Sequence, residues 1–99
     1  MREIITDKLK NLAVEMGEAN TTSAIVLISV DSSTDTSKVS TKLTKLEAVK
    51  TVYEITGQYD ISVIIRASNI TEINYCIDEL RKIQGVIDTN TVIILRTIR

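Results

Sequence analysis

Ile61-Ser62-Val63-Ile64-Ile65-Arg66, entered through Ile55-Thr56-Gly57-Gln58-Tyr59-Asp60, is the stretch on which the fold turns. A strand lying half-buried on a sheet alternates apolar and polar side chains, but Ile61, Val63, Ile64 and Ile65 put large aliphatics on both faces. Both faces of this strand therefore require cover. Just ahead of it Gly57 permits a sharp turn, and a carboxylate, Asp60, stands beside an amphipathic ring, Tyr59, at the strand's entrance.

Outward from this strand, the chain punctuates itself clearly. Ala24-Ile25-Val26-Leu27-Ile28-Ser29-Val30 is a second run apolar on both faces, so it too belongs at the centre of a sheet. The polar loop Asp31-Ser32-Ser33-Thr34-Asp35-Thr36 ends in good N-cap residues, and Val39, Leu43 and Leu46 follow at the spacing of an amphipathic helix. Val49 to Thr56 reads as an edge strand, with Val49, Thr51, Tyr53 and Ile55 on one side and Lys50, Val52, Glu54 and Thr56 on the other. Downstream, Asn69 and Glu72 are spaced as a capping box before the stripe Ile70, Ile73, Ile77 and Leu80. Gly85 is placed to end that helix, and Ile87 to Ile98 is expected to be one long final strand. At the other end of the chain, Ile5, Leu9, Leu12 and Met16 predict a helix from Met1 to about Gly17. The predicted organisation is thus a leading helix and connector over 1–22 and a domain over 23–99.

The domain repeats itself. Ala24 to Thr56 runs strand, loop, helix, strand, and Ile61 to Leu95 runs through the same elements at nearly the same spacing. Two such units joined by a hairpin give an α+β, ferredoxin-like βαββαβ sandwich with strand order 4-1-3-2 and both helices on one face. The two central strands of that topology are the two that are apolar on both faces. Helices cover only one side of such a sheet, leaving an aliphatic face on the order of several hundred Å² or more, beyond what monomers tolerate. A second copy laid sheet against sheet, as in a dimeric α/β barrel, is the expected cover, with the leading helix as a competing lid.

Composition narrows the chemistry. Of 99 residues 43% are hydrophobic and 25% charged, which suits one globular domain; Phe and Trp are absent, so the core must be aliphatic. Twelve basic residues against thirteen acidic ones, with no basic stripe, argue against direct nucleic-acid binding. No apolar run is long enough to span a membrane and the one cysteine, Cys76, cannot staple the fold, so a cytoplasmic protein is expected. The complete lack of histidine excludes the common triads, Cys-His pairs and histidine metal sites. No cofactor or metal is implied.

In the expected topology the end of the first strand and the starts of the third and fourth share one edge of the sheet. Ser32 and Ser33, then Gly57, Tyr59 and Asp60, then Thr89 and Thr91 are thereby expected to converge. A cleft with dry walls and a polar mouth suits a zwitterionic amino acid: Asp60 for its ammonium, and Thr89, Thr91 and the glycine turn for its carboxylate. Each residue also has a plainer reading. Gly57 is a turn glycine in any case, Asp60 can bond the hairpin backbone, and Thr89 and Thr91 are good strand residues. Tyr59 can cover the sheet margin, Ser32 and Ser33 can solvate a loop, and Cys76 can be a small core residue.

At these residues the sequence resembles the effector-binding domain of the Lrp/AsnC, or feast/famine, transcription regulators, called the RAM domain. The likeness lies in Ile55-Thr56-Gly57-Gln58-Tyr59-Asp60, Gln84-Gly85-Val86 and Thr89-Asn90-Thr91, and spans about Ser23 to Leu95. It implies sheet-to-sheet dimers that often assemble into tetramers or octamers, with amino-acid effectors bound between dimers. Gly57, Tyr59 and Asp60 match the family's turn and Thr89 and Thr91 its last-strand threonines; Ser32 and Ser33 lie in a variable loop. Family regulators carry a helix-turn-helix domain ahead of this unit, where the present sequence has room for one helix. The resemblance therefore implies a stand-alone domain acting on transcription indirectly, by sensing a metabolite or joining oligomers of DNA-binding relatives. Two other classes stay open at this point: an assembly partner recruiting through the leading helix, and a small enzyme of the dimeric α/β barrel type.

Overall fold

A computed structural model describes residues 21–99. Its elements are β1 (Thr22–Val30), α1 (Thr36–Leu43), β2 (Val49–Glu54), β3 (Ile61–Ala67), α2 (Ile70–Arg81) and β4 (Val86–Ile94). The strands form one antiparallel sheet in the order β2-β3-β1-β4, which is the expected order read from the other edge. The expected helix over residues 1–17 lies outside the described residues.

The core is the helix-facing side of the sheet. Ala24, Val26, Ile28 and Val30 of β1 and Ile61, Val63 and Ile65 of β3 are buried against Val39 and Leu43 of α1 and Ile73, Ile77 and Leu80 of α2. The alternate residues Ile25, Leu27 and Ile64 point to the opposite face and remain half-buried. Both helices are thus on one side of the sheet, as the ferredoxin-like arrangement requires. Cys76 is buried in this core. Desolvation, and then the Glu79 charge, push its thiol pKa above the usual range.

Helix boundaries follow local hydrogen bonding. Asp35 caps α1, its carboxylate accepting from the Ser37 N–H at 3.0 Å. Asn69 caps α2 by accepting from the Glu72 N–H at 3.0 Å, while the Glu72 carboxylate accepts from the Ser68 N–H at 3.0 Å. The reciprocal bond of the expected capping box therefore reaches one residue further back.

Three expected boundaries move. α1 stops at Leu43, and Leu46 packs on the core from a tight turn in which its N–H donates to the Leu43 carbonyl at 3.1 Å. In β2 a register shift lies between Val49 and Thr51, which pair with Ile65 and Ile64. Val49 therefore shares the core face with Val52, not with Thr51 and Tyr53 as simple alternation predicts. β4 ends at Ile94, which pairs with Ser23 of β1, short of Ile98. Leu95 and Ile98 are exposed.

Candidate functional site

The corner at the entrance of β3 is built around Asp60. Its N–H donates to the Ile28 carbonyl at 2.9 Å and its carbonyl accepts from the Ile55 N–H at 2.9 Å, tying the hairpin to β1. Backbone pairing between β1 and β3 ends at Ile28 and Ile61, so the Val30 N–H has no ladder acceptor. Asp60 Oδ2 takes that place at 2.7 Å. The plain reading of Asp60 is therefore part of the truth, although the bonded backbone is that of β1. Its other oxygen, Oδ1, has no hydrogen bond among the described residues. Gly57 has φ +112°, the left-handed region that glycine adopts at low cost, with open space where a Cβ would stand. Tyr59 is half-buried beside it.

The loop after β1 joins this corner. Asp31 Oδ1 accepts from the Ser33 N–H at 3.1 Å and its carbonyl from the Thr34 N–H at 2.9 Å, which folds Ser32 and Ser33 into an exposed turn. The Asp31 N–H donates to the Gly85 carbonyl at 2.7 Å, bringing in the start of β4. Gly85 has φ +102°, and a Cβ there would lie 2.6 Å from Thr34 Cγ2.

Thr89 and Thr91 are placed differently from the other candidates. They pair with Ile28 and Val26, so their side chains share the helix-facing side of the sheet, whereas Asp88 and Asn90 face the open side. β1 lies between them and β3, and two strand spacings amount to roughly 10 Å. That exceeds the separation of the ammonium and carboxylate of one α-amino acid. In one protomer Gly57, Tyr59 and Asp60 thus share a corner tied to the end of β1, Ser32 and Ser33 lie in the exposed turn just beyond Asp31, and the threonines are not presented to the same ligand as Asp60.

Thr91 lines a groove of about 370 Å³ between α2 and β4, floored by Ile77 and Ile93 and bordered by Asn74, Asp78 and Arg81, while Thr89 stands outside it and meets it only through Arg81. Arg81 Nε donates to Thr89 Oγ1 at 3.0 Å. The sequence reading missed Asn74, Asp78 and Arg81, although they recur as i, i+4 and i+7 beside the apolar stripe of α2. What was lacking was the knowledge that this flank overhangs β4. A larger cleft of about 610 Å³, near Arg66, Ala67, Tyr75 and Cys76, lies at the other end of β3 and contains none of the candidates. Among the described residues no three His, Cys, Asp or Glu side chains are grouped to hold a metal ion, and no helix is long and apolar enough to cross a membrane.

Comparison with known proteins adds to this geometry. Residues 23–99 match the family model of the Lrp/AsnC ligand binding domain. The HTH-type transcriptional regulator LysM of Saccharolobus solfataricus is 47% identical over 89 residues, covering 90% of this chain and 63% of the relative. The chain thus spans less than two thirds of that regulator's length. A homocitrate synthase of Sulfolobus acidocaldarius is 37% identical over 73 residues, which are 74% of this chain and 16% of that enzyme. Among solved structures, TTHA0845 of Thermus thermophilus aligns with a TM-score of 0.74 at 24% identity, over 79% of this chain and 98% of that one. The feast or famine regulatory protein Rv3291c of M. tuberculosis, solved with L-methionine, aligns at 0.71 and 23% identity, over 86% of this chain and 56% of that one. These two structures bear on the fold alone. With its family model matched from Ser23 to Arg99, the chain belongs to the Lrp/AsnC ligand-binding-domain family.

Proposed function

We propose that the 23–99 unit is a non-enzymatic, cytoplasmic effector domain that binds an amino acid at a seam between copies of itself and acts on transcription indirectly, through the oligomers it joins. The observation that carries this reading is the Asp60 carboxylate: Val30 fixes one oxygen at 2.7 Å, and the other is left uncommitted at a polar corner. A carboxylate held in this way is oriented for an ammonium without having to be immobilised on binding. Thr89 and Thr91 lie about 10 Å away across β1, too far for the same α-amino acid, so a ligand that uses both halves must bridge two protomers.

The half-buried aliphatic face of β1 and β3 supports such self-association, with a homodimer as the basic unit and tetramers or octamers built from it. The match to a ligand-binding-domain family supports an effector site, and the fold is one in which a structural neighbour was solved with L-methionine, which makes amino acids the class to test. A similar stretch makes up a small part of a homocitrate synthase, which supports a domain that serves more than one kind of chain.

Calorimetry over the twenty amino acids tests the reading. At least one is expected to bind the intact assembly, and Asp60→Asn is expected to lose that response while keeping the assembly. No heat from any amino acid, with the oligomer intact, overturns the reading.

A further inference from the structure

We propose that Arg81 anchors the carboxylate of the amino acid, in the groove between α2 and β4. This rests on the amino-acid-binding reading above and adds to it a residue and a half-site. Arg81 is exposed, but its Nε–H is spent on Thr89 Oγ1 at 3.0 Å, which ties the guanidinium to the first half of β4. Among the described residues both Nη groups are without a partner, so the remaining N–H donors of the planar fork are unspent on a side chain that borders the groove. Such a fork matches a carboxylate in a two-bond arrangement that a lone threonine hydroxyl cannot reproduce. Thr91 adds a hydroxyl at the same groove, and Ile77 and Ile93 supply a dry floor for an aliphatic side chain.

The groove also selects. Asp78 borders it one helical turn before Arg81 and has no partner among the described residues. Its negative charge disfavours a ligand that brings a second carboxylate, so neutral amino acids are expected to bind better than aspartate or glutamate. Arg81, braced by Thr89, and Thr91 thus form the half-site for the carboxylate, leaving Asp60 of another copy for the ammonium.

The test compares each of the twenty L-amino acids with its carboxamide, by calorimetry on the full chain. Wild type is expected to favour the acid of its best binder by at least about tenfold over the amide. Arg81→Met should erase that preference, lowering affinity for the acid while leaving the amide nearly unchanged; Arg81→Lys should restore part of it. A uniform loss for acid and amide would mean that Arg81 only braces Thr89, and an unchanged preference would mean that the carboxylate lies elsewhere; either overturns the proposal while leaving amino-acid binding in place. Silence of the wild type toward every amino acid overturns both readings together.

Discussion

Replacing Asp60 by alanine removes the acceptor of the Val30 N–H as well as the free oxygen, so it damages fold and site together. An unsatisfied backbone donor in this part-buried corner costs about 1–3 kcal/mol, which urea unfolding would detect. Asp60→Asn keeps an acceptor for Val30 and is expected to cost less than about 1 kcal/mol while still losing the ammonium contact. A stability loss equal in both variants would refute this division of labour. The two turn glycines separate in the same manner. Both have positive φ, but only Gly85 also faces a close neighbour in Thr34. Gly57→Ala is expected to cost about 1–2 kcal/mol from the backbone alone, and Gly85→Ala distinctly more, because the Thr34 side chain must move as well. Cys76 offers a third handle, since its thiol is held neutral by burial and by the Glu79 charge. A folded-state pKa raised in this way favours the fold below the unfolded thiol's pKa, and that contribution is lost as pH climbs through the folded value. Thiol labelling of the native protein at neutral pH should accordingly be much slower than in urea.

At the scale of elements, α2 depends on its N-terminal cap. Asn69→Ala should lower stability by about 1 kcal/mol and Glu72→Ala by less, because Glu72 holds only the exposed Ser68 N–H. Equal effects of the two in thermal unfolding would show that the carboxylate matters as much as the cap. Most elements could be read from sequence because their physical signals are local: aliphatics on both faces for β1 and β3, and a helical stripe after a capping residue for α1 and α2. The register shift in β2 is different in kind, since it is set by how Val49 and Thr51 meet neighbouring residues of β3 and leaves no mark in the alternation. The candidate site was half legible for a related reason. Gly57 and Asp60 announce themselves at a turn, but Asp88-Thr89-Asn90-Thr91 is polar at every position. With no apolar alternation, nothing local told which pair faces the helices. Arg81 was hidden until α2 was seen to pack over β4.

For the molecule as a whole the decisive feature is the sheet face that carries no helix among the described residues. Ile25 and Ile64 pair there across the two central strands, Val92 stands opposite Ile25 on β4, and Tyr53 lies toward the far edge. Val92 and Tyr53 are 50% and 53% exposed in the single protomer, so a dry contact is available to a second copy. Covering several hundred Å² of such surface contributes on the order of 10 kcal/mol before association costs are deducted. Ile64→Asp tests this with little risk to the fold, because in a lone protomer the new carboxylate can reach water and costs about 1 kcal/mol of strand preference. In a sheet-to-sheet contact the same carboxylate would be buried without a partner, a penalty of several kcal/mol on each side of a two-fold interface. Light scattering is expected to give the mass of a dimer or larger for the wild type and of a folded monomer, with unchanged circular dichroism, for Ile64→Asp. If the seam needs two copies, that monomer must also fail to bind any amino acid that the wild type binds. A folded wild-type monomer at micromolar concentration, or an Ile64→Asp variant that keeps its partners, would leave the open face without the occupant proposed for it.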